Sequence, residues 1–186
     1  MMKKWLLLLS LLTGLVLTAQ AVQGDEDEHE HEGWHGWFKG AAADIKPVRN
    51  ERYRQECASC HMAYQPGLLP AQSWKRVMNS LDNHFGENAE LLPEDMKLIS
   101  EYLQAGAADT TSFGRSGAFA RGGKAGRMRI TESPYFLRKH DEVPKRFLKH
   151  EKIGSFSNCV ACHRSAEQGV YDEHDVNIPG VGRWDD

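Results

Sequence analysis

The stretches RQECASCHMAY (residues 54–64) and FSNCVACHRSA (residues 156–166) share one arrangement. In each stretch, two residues separate a pair of cysteines, and a histidine directly follows the second cysteine. Together they hold all four cysteines of the 186-residue chain. These two C-x-x-C-H motifs are therefore the starting point for predicting the fold.

The first 21 residues have the features of an export signal. Lys3 and Lys4 precede an apolar run over residues 5–17, and small residues at 19–21 suit cleavage near Ala21. The apolar run is shorter than the roughly 20 residues that span a bilayer. An uncleaved anchor is the alternative. We expect an exported, periplasmic protein with no transmembrane segment after signal removal.

Export changes what the cysteines indicate. Four cysteines in an oxidising compartment ordinarily form two disulfides, and four thiolates also make a zinc site. Neither needs a histidine after each second cysteine, whereas C-x-x-C-H is the signature of c-type haem attachment. We therefore predict two covalently bound haem c groups. The residues expected to hold them are the thiols Cys57, Cys60, Cys159 and Cys162 and the proximal iron ligands His61 and His163.

The charge balance argues against nucleic acid and anionic membrane surfaces as partners. Without residues 1–21 the chain has 21 basic and 26 acidic residues, a formal charge of −5. Against this background, residues 113–152 hold eleven basic residues and four acidic ones. This local excess predicts a docking site for an acidic redox partner. A solvated basic face beside haem propionates is the alternative.

Composition divides the chain into five segments. They are a signal peptide (1–21), an acidic tail (22–40), a first haem domain (41–110), a Gly/Arg-rich linker (111–127) and a second haem domain (128–186). The tail contains His29, His31 and His35, which raises the possibility of metal capture. Because nothing there fixes ligand geometry, we favour a solvated tail.

Helical periodicity dominates the two haem domains, so a mainly α protein is expected. The first domain predicts helices over 47–62, from an N-cap at Ser73, and from Pro93 through Gln104. The second domain is smaller and less regular and depends on its haem as a core. It begins with a short helix whose cap is Ser133. The positions predicted to be buried in the second and third helices are Trp74, Val77, Met78, Leu81, Met96, Ile99 and Leu103.

The first haem iron needs a sixth ligand if it is to pass single electrons. Met78 and Met96 occupy core positions of predicted helices, Met62 directly follows a proximal histidine, and Met128 is a weak candidate. His84 lies in the loop after the second helix, where the chain can cover the distal face. We predict His84 as the distal ligand of haem 1.

Two histidines compete for the second iron. His140 follows Phe136 by four residues and Leu137 by three, which puts its imidazole on the apolar face of the short helix. His150 lies between charged residues, as expected of an exposed side chain. We predict His140 as the distal ligand of haem 2.

The ordered series ECASCHMAY, LLPAQSW, LDNHFGENA, RITESPYF, NCVACHRSAEQGVYDE and NIPG resembles the bacterial dihaem cytochromes c of the DHC type, over residues 52–180. The resemblance implies an N-terminal domain like a class I cytochrome c and a less regular C-terminal haem domain. It implies bis-histidine ligation, with His140 as the histidine after RITESPYF. It also implies an electron shuttle that serves a small oxygen-binding c-type cytochrome and a membrane b-type cytochrome.

Electron transfer without substrate turnover is thus the expected function. One alternative is a small haem enzyme, such as a peroxidase or a nitrogen-oxide reductase. The other is a haem-based gas or redox sensor. Both alternatives need an open or displaceable distal position on one iron.

Overall fold

The computed structural model describes residues 42–122 and 126–184. The expected signal peptide and acidic tail lie outside these ranges. The α-helices are α1 (Glu51–Cys57), α2 (Ala71–Met78), α3 (Pro93–Ala105), α4 (Ser116–Gly122) and α5 (Pro134–Lys139). One antiparallel hairpin pairs β1 (Asn177–Ile178) with β2 (Gly182–Arg183). The expectation of a mainly α protein is confirmed.

Seven short 3-10 helices fill much of the remaining described chain. They are Pro66–Leu68, Leu81–Asn83, Ile130–Glu132, Lys145–Lys149, Cys159–Ala161, Ala166–Gln168 and Glu173–Asp175. Within the described ranges, no helix has the length and apolar character needed to cross a membrane.

Helix α1 delivers the first C-x-x-C-H motif. It begins at Glu51 because the side chain of Asn50 accepts a hydrogen bond from the Tyr53 backbone N–H at 3.0 Å. It ends at Cys57, and the rest of the motif forms turns. The predicted helix over 47–62 was too long at both ends, because the Asn50 cap sets its start and the motif leaves the helix after its first cysteine.

Helices α2 and α3 pack against each other and form the larger apolar core. α2 begins after Pro70, so the expectation that Ser73 is the N-cap is wrong, and Ser73 lies buried inside the helix. α3 begins at Pro93 and ends one residue beyond the predicted Gln104. Of the predicted core positions, the buried ones are Trp74, Val77, Met78, Ile99 and Leu103, whereas Leu81 and Met96 are only partly buried.

The Gly/Arg-rich segment 111–127 is not irregular throughout, because it contains helix α4. Phe119 anchors this helix: its side chain is buried, and its ring meets the Tyr135 ring edge-on at 4.9 Å. It belongs to a second apolar cluster with Ile45, Leu68 and Phe136. One buried aromatic among glycines is too weak a periodic signal to predict a helix.

Helix α5 starts as predicted, with Ser133 as its cap and Pro134 as its first residue. The Ser133 hydroxyl accepts a hydrogen bond from the Phe136 backbone N–H at 3.1 Å. The helix ends at Lys139, which leaves His140 in the C-cap position. After the second motif, the chain forms the β1–β2 hairpin. The Asn177 N–H donates a hydrogen bond to the Cys162 carbonyl at 3.0 Å, which connects the hairpin to that motif.

Candidate haem sites

A single cavity of about 750 Å³ runs past both C-x-x-C-H motifs, and its walls are mainly apolar. It is lined by both cysteines and the histidine of each motif, and also by His84 and His140. A mostly apolar cavity with a few polar groups is the kind of site that binds a large planar cofactor. The eight residues predicted to hold two haems therefore all lie on one cavity.

The cysteines have the state that haem attachment requires. All four are free thiols. Burial raises the pKa of the Cys57 thiol to about 11, and burial likewise raises the pKa of the Cys159 thiol to about 11. No three His, Cys, Asp or Glu side chains in the described ranges are grouped to hold a metal ion by themselves. In the described ranges the geometry therefore supports neither two disulfides nor a four-thiolate zinc site.

His61 and His84 face each other across the first part of the cavity, with ring centroids 6.1 Å apart. Two imidazoles bound to one iron from opposite sides have centroids about 6 Å apart, since each metal–nitrogen bond is about 2.0 Å long. The His61 Nδ1 lies 2.7 Å from the Met62 carbonyl oxygen. Because a carbonyl only accepts, this contact puts the proton on Nδ1 and leaves Nε2 free for a metal.

A tight turn over residues 83–87 positions His84. The His84 N–H donates to the Glu87 carbonyl at 2.7 Å, and the Asn83 side chain accepts from the Gly86 N–H at 3.0 Å. Phe85 and Gly86 have φ angles of 58° and 112°. Phe85 is the only non-glycine residue with positive φ in the described chain. The turn that positions His84 therefore contains some backbone strain.

His140 and His163 form a second pair with the same separation, 6.1 Å between ring centroids. The His140 Nδ1 lies 2.9 Å from the Phe136 carbonyl oxygen, which again leaves Nε2 free. The His140 ring also stacks on the Phe136 ring at 3.9 Å, and Phe156 meets it edge-on at 6.0 Å. Unlike His84, this histidine is fixed by a helix terminus and two aromatic contacts.

His150 has a different environment. Its Nδ1 accepts a hydrogen bond from the Lys152 N–H at 3.2 Å. Its Nε2 lies close enough to Gly180 that an added Cβ there would come within 3.1 Å. His150 does not line the cavity. The structure thus brings His140, and not His150, next to His163.

Burial keeps three of the candidate ligands neutral. It lowers the pKa of His84, where nearby His61 and Arg129 act in the same direction. It also lowers the pKa of His140. The pKa of His163 falls to about 4, mainly through burial and also through nearby His140 and Arg115. At neutral pH these imidazoles therefore offer a lone pair to a metal rather than a proton.

Three methionines also line the cavity: Met62, Met78 and Met128. Met78 is 3% exposed and packs in the core between α2 and α3. The Met128 sulfur lies 3.9 Å from the Ser80 hydroxyl, a weak hydrogen bond. The thioethers of Met78 and Met128 thus have a packing role and a partner of their own, respectively.

A polar network that the sequence did not predict connects the two histidine pairs. The Tyr64 ring stacks on His61 at 4.8 Å, and its hydroxyl donates to the Ser157 carbonyl at 2.7 Å. The neighbouring Gln65, fully buried, accepts at 2.7 Å from Tyr171, whose ring meets His163 edge-on at 5.5 Å. Polar residues directly after each motif were visible in the sequence, but nothing there indicates that they meet.

Known proteins resemble this chain in sequence and in fold. The sequence profile of the family described as dihaem cytochrome c matches residues 53–171. The diheme cytochrome type c from Shewanella baltica is 46% identical, with a TM-score of 0.61 over 73% of this chain and 98% of that structure. The diheme cytochrome c from Rhodobacter sphaeroides is 45% identical, with a TM-score of 0.61 over 68% of this chain and 100% of that structure. No curated protein matches the chain.

The family match covers both C-x-x-C-H motifs. The resemblance seen in the sequence is therefore confirmed, and so is the prediction of two haem groups attached at the four cysteines. The chain belongs to the dihaem cytochrome c family and carries two covalently bound haem c groups.

Proposed function

We propose that both haem irons are six-coordinate with two histidine ligands each: His61 and His84 on haem 1, and His163 and His140 on haem 2. The observation that carries this proposal is the common separation of 6.1 Å between the rings of each pair. Two imidazoles per iron leave no vacant position for a substrate. This arrangement suits outer-sphere electron transfer better than catalysis.

The haem groups supply one-electron redox chemistry at iron, and the side chains of the protein hold them for it. The carbonyls of Met62 and Phe136 orient the imidazoles of His61 and His140. Such contacts fix the ring and raise its basicity. The apolar walls of the cavity exclude water, so little solvent must reorganise when an electron arrives.

We further propose a periplasmic shuttle between a membrane b-type cytochrome or quinol-side donor and a small soluble c-type haem protein. The export-signal sequence and the family membership support this role. Residues 41–110 then form a class I cytochrome c-like domain. Residues 111–127 connect it to the less regular second haem domain, residues 128–186. The expected absence of enzymatic turnover is part of the same proposal.

One observation favours a second candidate, a haem-based sensor of small gases. Phe85, next to His84, has a φ of 58° in the turn that holds the haem 1 ligand. Strained backbone beside a ligand makes its displacement easier. His140 has no comparable strain beside it, so only haem 1 would open.

Electron paramagnetic resonance of the ferric holoprotein tests the proposed ligation. We expect low-spin signals that account for two haems per chain and no high-spin signal, because two imidazoles give a strong ligand field. A high-spin signal from one haem in the wild-type protein would contradict bis-histidine ligation at that iron and favour the enzyme or sensor.

A further inference from the structure

The two haem motifs lie in parts of the chain with opposite charge. Residues 42–110, around the first motif, contain seven basic and ten acidic residues. Residues 111–184, around the second motif, contain thirteen basic and eight acidic residues. An uneven charge distribution attracts acidic partners to the basic part of a protein and basic partners to the acidic part.

The strongest concentration of exposed cations lies against the haem 2 part of the cavity. The 3-10 helix Lys145–Lys149 and the residues after it turn their apolar side chains inward, since Phe147, Leu148 and Ile153 line the cavity. The basic side chains of the same segment consequently face solvent. The exposed basic residues are Lys145, Arg146, Lys149 and Lys152.

This segment is joined directly to the second attachment loop. The Asn158 side-chain amide donates to the carbonyls of Lys152 at 3.2 Å and Ile153 at 3.3 Å. Asn158 immediately precedes Cys159, the first thiol of the motif. Val160, between the two attachment cysteines, is 39% exposed. An exposed apolar residue between the two attachment cysteines is thus next to the loop that bonds the basic segment. We call Val160 and the four exposed basic residues the basic haem-2 surface.

The lysines of this surface are available to a partner. Lys139 and Arg115, elsewhere in this half, form ion pairs with Glu173 at 3.2 Å and with Asp44 at 2.8 Å. In the described part of the chain, no carboxylate forms an ion pair with the lysines of the surface. Three acids lie close in sequence to these lysines: Asp141, Glu142 and Glu151. They reduce the local positive charge, but residues 111–184 still carry a net positive charge.

The first attachment loop offers no such surface. Ala58 and Ser59 separate its cysteines, and the helix before it carries two acids and two arginines. Both arginines are in ion pairs: Arg52 with Glu56 and Asp95, and Arg54 with Glu51. The turn that holds His84 is likewise surrounded in sequence by exposed acids: Asp82, Glu87 and Glu90. Arg129 lies over the Phe85 ring at 4.0 Å, but the exposed acids around this turn outnumber it. An acidic protein would therefore be attracted more strongly to the other motif.

We propose that the basic haem-2 surface is the docking site of an acidic redox protein, so that this partner exchanges electrons with haem 2 rather than haem 1. An apolar centre with a charged rim gives contact at the haem edge, while the charges steer the encounter. This inference rests on the proposed electron-transfer function and narrows the docking region predicted over residues 113–152 to one edge of one haem.

The test compares two double charge reversals in the holoprotein. Lys149→Glu with Lys152→Glu changes the proposed surface. Lys75→Glu with Lys97→Glu is the matched control, because both lysines are exposed on α2 and α3 and the change in net charge is the same. The contacts of Lys152 with His150 and Asn158 use backbone atoms, so the reversal preserves them. Val160→Asp is a third variant that places a negative charge at the apolar centre.

The probe is a reduced plant-type ferredoxin, an acidic protein whose potential of about −400 mV suits it as an electron donor. At low salt the second-order rate of haem reduction should fall about tenfold in the Lys149/Lys152 variant and less than twofold in the control. Val160→Asp should also slow the reaction, and the rates should converge at high salt. Equal losses in both double variants, or no loss in either, would overturn the proposal.

A neutral reductant separates this inference from the proposed function. Photogenerated lumiflavin semiquinone carries no net charge, so it should reduce all variants at one rate. If lumiflavin reduces the wild-type protein but ferredoxin does not, docking of an acidic partner is overturned and electron transfer stands. If neither donor reduces the haems, the proposed function itself fails, and the docking site with it.

Discussion

At the scale of single residues, two histidines compete as the sixth ligand of haem 2. His140 and His150 are both within reach of His163 along the chain, but only His140 lies 6.1 Å from it, with Nδ1 satisfied by a carbonyl. We expect His140→Ala to convert one of two ferric haems from low-spin to high-spin, and His150→Ala to leave both low-spin. Electron paramagnetic resonance distinguishes the variants. A high-spin signal from His150→Ala alone would reverse the assignment.

The proposed distal ligand of haem 1 is tested in the same way. His84 lies 6.1 Å from His61, whereas the Met128 sulfur is near the Ser80 hydroxyl. His84→Ala should therefore give one high-spin ferric haem, and Met128→Leu, which removes the thioether at similar volume, should not. Loss of low-spin character in Met128→Leu with none in His84→Ala would identify a methionine ligand instead.

Site residues are predictable from the sequence where the residues that act together are also adjacent in the chain. The cysteines and proximal histidines are adjacent in the chain, so their spacing alone predicted two attached haems. His84 and His140 required an argument about which face of a helix or loop a haem would cover. The bridge from Gln65 to Tyr171 spans 106 residues, and no short-range pattern predicts such a contact.

At the scale of elements, one glycine joins the start of the described chain to the turn after the second motif. Gly169 has a φ of 76°, and its carbonyl accepts hydrogen bonds from the Asp44 and Ile45 N–H groups at 2.8 and 3.0 Å. A Cβ at this position would lie 2.0 Å from the Ile45 carbonyl oxygen. Only glycine fits both the conformation and the space.

Gly169→Ala should consequently lower the free energy of unfolding by clearly more than backbone conformation alone accounts for. Gly182→Ala is the control, because Gly182 has a φ of 106° but no atom within 4 Å of an added Cβ. The free energy of unfolding should fall by about 1–2 kcal/mol in Gly182→Ala and by more in Gly169→Ala. Urea unfolding of the holoproteins measures both. Equal losses would show that the contact with Ile45 relaxes freely.

Helices with local start signals and a clear period were predictable, as α3 illustrates with Pro93 and its Ile99 and Leu103 stripe. Other boundaries depend on tertiary contacts. α2 begins before Ser73 because Pro70 precedes it and the Ser73 side chain is buried. α4 owes its place to the packing of Phe119 against Tyr135, which its glycine-rich sequence does not indicate.

At the scale of the whole molecule, the two haem motifs are connected by buried polar groups. The Gln65 side-chain amide donates to the Ala166 carbonyl at 2.6 Å and accepts from the Tyr171 hydroxyl at 2.7 Å. Gln65→Leu removes the acceptor of the Tyr171 hydroxyl and leaves the Ala166 carbonyl with only the Gly169 N–H, at 2.9 Å. The free energy of unfolding should therefore fall by about 1–3 kcal/mol. Gln55→Leu, at an exposed position on α1, should change it by less than about 0.5 kcal/mol. Denaturant unfolding followed at both haems checks this, and similar losses in both variants would contradict it.

We propose that each haem iron has two histidine ligands, so that neither iron has an open coordination position. Carbon monoxide binds ferrous haem only where a coordination position is open or readily vacated. Addition of carbon monoxide to the fully reduced holoprotein should therefore leave the Soret and visible absorption bands unchanged. A carbon monoxide-dependent shift of the Soret band, with an amplitude that corresponds to one or both haems, would contradict bis-histidine ligation at each haem affected.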